Sequence, residues 1–228
     1  MYSRGVAENS DLVASPAATV VVMRGSNGGL EVLLLRRSSQ LAFYGGAWVF
    51  PGGRIDAQDG DPAQEPAARA AAVRELREES GLELAPQALV PFARWITPPG
   101  RPRRFDTWYF AARAPHGAVR VDAAEVDAHR WMRPEDALAA RAEGKLELPP
   151  PTFVTLAQLA LHADPDAALH ALGSAPLQRY VPRPCEVANG TVYLYEGDVA
   201  YTERAPAMQG ARHRLTALAD GWRYERSE

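Results

Sequence analysis

The chain has a single cysteine, a single lysine and no apolar stretch approaching the roughly 20 residues that a membrane helix needs. The lone Cys185 excludes an intramolecular disulfide and a cysteine-based zinc site, and it reads as a packed thiol. The most apolar run near the start, residues 17–23, stands behind a polar leader with neither the charged start nor the cleavage pattern of a signal peptide. No membrane partner is therefore expected, and the chain is expected in the cytoplasm. A strong charge of one sign is also lacking. With 25 basic against 28 acidic residues the net charge is −3, which offers no footprint for duplex nucleic acid. All the basic residues except Lys145 are arginine. Arginine suits phosphates through its rigid donor fork, but in a chain this biased an isolated arginine says little.

The rest is the composition of an ordinary globular protein, 46% hydrophobic and 23% charged over 228 residues. That is enough for one large domain or a domain with an appendage. Residues 1–15 read as a loose leader. Residues 17–23 and 30–36 read as strands joined through an Asn-Gly turn, a hairpin signal. Short strands are expected at 48–50, 89–95, 105–112 and 126–132, with helices over 67–80 and 134–143. After the Pro149-Pro150-Pro151 tract, Thr152 is expected to cap a helix reaching about residue 162, and Asp164-Pro165 to open another. From Tyr180 the pattern turns β-like, with strands over 191–195 and 212–218. The elements are mixed and no repeat is visible, so the fold class is α/β or α+β.

The helix over 67–80 carries the most information. Its first half is alanine-rich, Gly81 follows as a stop, and Pro66 must lie at or near its start. Glu75, Glu78 and Glu79 are spaced i, i+3, i+4 and share one face. Like charges at that spacing repel, and the C-terminal half of a helix disfavours anions. A hard divalent cation reverses both effects. Arg74 and Arg77 flank the cluster and can hold unliganded glutamates. A solvated Arg/Glu face is the plain alternative. Against it stand the apolar Val73, Leu76 and Leu82, which dock the helix, and the Gly52-Gly53 pair upstream, which allows close backbone approach.

The run Arg74-Glu75-Leu76-Arg77-Glu78-Glu79-Ser80-Gly81-Leu82 resembles the second half of the Nudix box, G-x5-E-x7-R-E-U-x-E-E-x-G-U with U aliphatic, and Phe50-Pro51-Gly52-Gly53 resembles its lead-in. The first half departs. Twenty residues separate Gly53 from Arg74, a longer loop than the pattern has, so residues 56–65 are treated as an insertion. Pro66 stands where the first glutamate is expected, with Glu65 beside it. The acidic insertion looks superficially like a calcium loop, but Gln58 and Gly60 occupy the positions where ligands would be needed. The resemblance implies an α/β/α sandwich with a mixed central sheet over residues 16–148. A helix-plus-strand extension over 149–228 is expected to pack on the same domain. It also implies a diphosphatase using Mg2+ or Mn2+. Glu75, Glu78 and Glu79 are the implied ligands, with the Gly52 carbonyl and Glu125 as further candidates. Arg74 supports them, and Glu78 or Glu79 is the candidate general base.

Two further segments resemble the coenzyme A diphosphatase-related subfamily with a long box insertion: residues 33–53 and 95–110. The implied substrate is a small nucleotide molecule, coenzyme A or an acyl-CoA, with an ADP-ribose or nucleotide-sugar diphosphatase and a non-enzymatic ligand sensor as rival readings. Arg36, Arg54, Arg101, Arg103 and Arg104 are candidate phosphate contacts, and Phe43 a candidate pocket residue. Monomer and homodimer both remain open.

Overall fold

The structure is a computed structural model, and it describes residues 14–40, 44–121 and 125–227. The leader up to residue 13 and Phe43 lie outside the described residues.

The central sheet begins with the expected hairpin. Strands β1 (Ser15–Ser26) and β2 (Gly29–Arg37) pair antiparallel across the Asn27-Gly28 turn. Both run longer than the apolar pattern suggests, β1 continuing into exposed residues and β2 into half-buried ones. Four further strands follow: β3 (Trp48–Val49), β4 (Gly52–Arg54), β5 (Val90–Ile96) and β6 (Phe105–Arg113). After these come β7 (Val126–Met132) and, from the C-terminal segment, β8 (Gln178–Tyr180). The order is β3-β2-β1-β6-β5-β8, with β4 on β1 and β7 on β2. Pairs β1–β6 and β5–β8 are parallel and the others antiparallel, so the sheet is mixed.

Strand alternation sorts the apolar side chains onto two faces. Ala18, Val20, Val22, Leu33 and Leu35 meet helix α1 (Glu65–Ser80) on one side. The helix buries Ala67, Ala68, Ala71, Ala72 and Leu76, and these small residues let its backbone lie close to the sheet. Pro66 occupies the first turn, where a missing N–H costs nothing, and Gly81 ends the helix in the left-handed conformation (φ 69°) with its N–H on the Arg77 carbonyl.

On the other face Val21, Met23, Val32 and Leu34 pack under α2 (Pro134–Ala142), α3 (Pro150–Leu159) and α4 (Pro165–Ser174). The second expected cap is present: the Asp164 carboxylate accepts from the Asp166 and Ala167 N–H groups, both at 2.9 Å. The first is not. Pro149 precedes α3, and Thr152 lies buried inside it, because the proline tract itself supplies the first helical turn.

The C-terminal residues form a second, four-stranded antiparallel sheet ordered β12-β11-β10-β9. Its strands are β9 (Arg183–Val187), β10 (Gly190–Leu194), β11 (His213–Leu218) and β12 (Gly221–Arg226). Leu215 and Ala217 of this sheet, and Tyr195 next to it, share the core under α3 with Trp95, Tyr109 and Tyr180. Trp95 stacks on Tyr180 at 3.9 Å between ring centroids, and Tyr195 meets Trp95 edge-on. Cys185 is a buried free thiol. No helix among the described residues is long and apolar enough to cross a membrane.

Candidate active site

The site forms where β4 passes the C-terminal half of α1. Thr19 pairs with Gly52 and Ala18 with Gly53, so the two glycines are held on the edge of β1 directly beside the helix. A Cβ at Gly52 would strike the Ala18 carbonyl oxygen, and one at Gly53 would overlap the Glu75 carboxylate. Gly52 is therefore required by close backbone approach, and Gly53 leaves room for the Glu75 carboxylate.

Through this gap the helix carboxylates reach the strand. The Gly52 N–H donates to Glu79 Oε2 at 2.9 Å. Glu79 is 8% exposed, and burial pushes its carboxyl up from 4.5 to about 8. The Gly52 N–H and Arg37 pull it back, while Glu75 and Glu125 push it further up. Glu75 is likewise raised by burial, with Arg74 opposing and Glu78 and Glu125 adding to the rise. Glu78 differs. Its side chain is half-exposed and pairs with Arg74 at 3.0 Å. Among the described residues no three acidic, histidine or cysteine side chains are gathered closely enough to enclose an ion. Of the three glutamates on the shared face, Glu79 is buried, Glu75 part-buried and Glu78 half-exposed, and Glu75 and Glu78 both bond Arg74.

Arg74 lies between them. Its Nη1 donates to Glu75 Oε1 at 2.8 Å and to Glu78 Oε2 at 3.0 Å. Its Nε and Nη2 bind the two oxygens of Asp59 at 3.0 and 2.9 Å, and Nη2 also reaches the Arg54 carbonyl at 2.9 Å. The chemistry of the donor set suits a hard cation. The buried Glu79 and part-buried Glu75 feel each other's charge and that of Glu125, and Arg37, Arg74 and the Gly52 N–H offset it.

The expected substrate residues scatter. Arg36 is engaged across the sheet with Asp127 at 2.5 Å. Strand alternation places its neighbour Arg37 on the α1 side instead, where its charge reaches Glu79. Arg54 is exposed at the end of β4, and its backbone carbonyl accepts from Arg74. Arg104 donates from Nε to the Thr97 carbonyl at 3.1 Å and so closes the β5–β6 turn. Arg101 and Arg103 are exposed on that turn, and the Arg101 charge is felt by Tyr44. Tyr44 is 40% exposed and lies close enough to Tyr109 for the two rings to influence each other. Tyr109 is bonded through its hydroxyl to Thr19, the partner of Gly52. Trp48 is a core residue, 4% exposed.

A family model described as the NUDIX domain matches residues 14–151. The chain belongs to the Nudix family. Over 129 residues it is 35% identical to the acyl-coenzyme A diphosphatase NUDT19 of Homo sapiens, a match covering 54% of this chain and 34% of that protein. The Xenopus laevis protein of the same name is 31% identical over 125 residues, with 51% and 33% covered. The chain spans about a third of the length of these curated relatives. A crystal structure of a NUDIX hydrolase from Alicyclobacillus acidocaldarius superposes with a TM-score of 0.64 at 28% identity, covering 72% of this chain and 99% of that one. The Nudix domain of Shewanella oneidensis NrtR, solved with ADP ribose, shares the fold at 19% identity and a TM-score of 0.50, with 70% and 94% covered.

Within this Nudix domain the irregular half of the box becomes intelligible. Glu65 pairs with Arg69 one turn on, at 2.7 Å, and does not reach Arg74. Asp59, in the acidic insertion, grips Arg74 instead. Arg37, and not the candidate Arg36, is the β2 arginine whose charge reaches Glu79. The signal for both was available in principle: an acid in a loop that must fold back on the helix, and strand parity at β2.

Proposed function

We propose that the chain hydrolyses a diphosphate bond in a nucleoside-diphosphate-linked small molecule, with coenzyme A or an acyl-CoA as the substrate class. The observation that carries the reading is the Glu79–Gly52 contact, where burial, with Glu75 and Glu125 adding to it, pushes the Glu79 carboxyl up to about 8. A protein does not hold such a cluster for stability, since each buried carboxylate raises the cost of the next. Glu75, Glu79 and Glu78 would hold Mg2+ or Mn2+, with the Gly52 carbonyl and Glu125 as further oxygen donors. When bound, such an ion neutralises diphosphate charge and acidifies a coordinated water. The Gly52 N–H fixes Glu79 Oε2, which leaves Oε1 to take a proton from attacking water. Arg37 and Arg54 border the cluster and supply donors to the phosphates. Arg101, exposed on the β5–β6 turn, would meet the distal part of a long substrate.

The choice of coenzyme A rests on the 35% identity to an acyl-coenzyme A diphosphatase and on the arginines of the β5–β6 turn. The test is a panel of coenzyme A, acyl-CoA esters, ADP-ribose, NADH and nucleotide sugars with Mg2+ or Mn2+, read by mass spectrometry of the products. Release of 4′-phosphopantetheine species and adenosine 3′,5′-bisphosphate is expected. Turnover of ADP-ribose alone removes the substrate choice, and turnover of nothing removes the hydrolase.

A further inference from the structure

The guanidinium of Arg74 commits all five of its N–H groups, in two directions. Three go to the insertion side: Nε to Asp59 Oδ1 at 3.0 Å, Nη2 to Asp59 Oδ2 at 2.9 Å, and Nη2 to the Arg54 carbonyl at 2.9 Å. Two go to the glutamates, both from Nη1. The Asp59 side chain is 4% exposed, so this fork is enclosed and not a surface pairing. Asp59 is itself fixed. Its Oδ2 also accepts the Asp56 N–H at 2.9 Å in a 3-10 turn that ends at Gly60. The bond to Arg74 holds its carboxyl below the usual carboxylate range.

We propose that Asp59 is the positioning residue that keeps the Arg74 fork turned away from Glu75 and Glu78, so that those carboxylates can be yielded to a divalent cation. The inference rests on the metal reading given under Proposed function and adds to it a role for the insertion. A carboxylate bound by both arms of a guanidinium is held much more firmly than one bound by a single nitrogen. Asp59 occupies the two-armed mode permanently. Glu75 and Glu78 are left with one nitrogen between them, a contact that a cation can displace. Without Asp59 the fork is free to close on Glu75 or Glu78, and an ion must then compete with a two-armed pair. Asp59 bonds the arginine from the insertion side, through Nε and Nη2.

The test is Mn2+ binding to the full chain, measured by isothermal titration calorimetry without substrate. Asp59→Asn is expected to weaken binding about tenfold, the lower range for loss of a group that orients metal ligands. Asp59→Glu, which keeps a two-oxygen acceptor, is expected to recover most of it. In an Arg74→Ala background Asp59→Asn is expected to add no further loss, because no fork remains to redirect. Wild-type affinity in Asp59→Asn overturns the proposal. So does an equal loss in both backgrounds, which would make Asp59 act on the ion by its own charge. Absence of Mn2+ binding by the unmutated chain overturns the metal reading and this inference together, whereas binding that is insensitive to Asp59 overturns this inference alone. A measurement on the unmutated chain covers a variant that does not fold. The Arg74 Nε–H resonance is expected to stay protected from solvent exchange when Mg2+ is added. Exchange as fast as in exposed arginines would show that the ion releases the whole fork, contrary to the proposal.

Discussion

Gly53 and Glu75 are fitted so closely that one added carbon on the glycine would overlap the Glu75 carboxyl carbon and both its oxygens. The clashing atoms are the far end of a flexible side chain, so the backbone has no need to move. Gly53→Ala is therefore expected to fold with a melting temperature within a few degrees of wild type, while turnover falls on the order of a hundredfold. That is the scale of loss when a site group is displaced by about 1 Å. Circular dichroism melts and steady-state assays on the same sample check both halves. An active Gly53→Ala would mean that Glu75 has no part in the chemistry.

Glu79 carries a prediction whose sign depends on pH. Its folded carboxyl titrates near 8, against an ordinary value of 4.5. For an acid raised in this way, the folded state loses stability as pH climbs from the lower value to the higher. At neutral pH in chelator, Glu79→Gln should therefore be more stable than the parent, on the order of 1–3 kcal/mol, and at pH 4 the gain should vanish. The same variant should lose at least a hundredfold in turnover, as typical for a group engaged in proton transfer. Urea unfolding at the two pH values, beside the assay, is the check.

The parts of the fold legible in sequence were those written in local pattern. The apolar run of β1, the Asn27-Gly28 turn, the alanine-rich α1 with its Gly81 stop and the Asp164 cap each depend on near neighbours, and each formed. Strands β4, β8, β9 and β12 were not resolved as strands. Gly52–Arg54 has no strand propensity and is held by pairing with β1, and Gln178–Tyr180 is extended because β5 lies beside it. Within the site the helix spacing revealed which glutamates share a face. It could not reveal that Glu78 turns outward while Glu79 is drawn inward by a backbone N–H from a strand 27 residues away in sequence. Asp59 was missed for the same reason, since its meaning lies entirely in a contact with Arg74 across a folded loop.

The second sheet is anchored by Asp198, which is buried with Arg214. Asp198 accepts from Arg214 Nε and Nη2 at 2.6 and 2.5 Å, and from the His213 and Ala200 N–H groups at 2.9 Å. Burial pushes its carboxyl up, but Arg214 and the two backbone donors more than offset this and hold it below its usual range. Removing one side of a buried pair leaves the other charge unpaired, at a cost of about 3–5 kcal/mol. Asp198→Ala should lower stability by that order in urea titrations, and Arg214→Met, which leaves Asp198 two backbone donors, should cost less. Equal small losses would show that the pair does not anchor the sheet.

Next to this pair His213 is 4% exposed, with Nδ1 on the Glu196 carbonyl at 2.6 Å and no hydrogen-bond partner for Nε2. Burial holds its pKa below 6.5, with Arg226 acting in the same direction and the Glu196 carbonyl and Asp198 opposing. A base lowered in this way contributes in full above 6.5. As pH falls below that value the unfolded chain takes up a proton that the folded chain refuses, and stability is lost. Asp198 does not confuse the measurement, since its carboxyl lies below 3.8 in the folded chain. Glu79 does act in this window, and with the opposite sign. The informative quantity is therefore the difference between the unmutated chain and His213→Asn, in which the Glu79 contribution cancels. Between pH 7.5 and 5.5 the unmutated chain should lose more stability than His213→Asn in chelator. Parallel loss in the two would mean that His213 already accepts its proton within the aromatic cluster formed by Tyr180, Tyr195 and Tyr224.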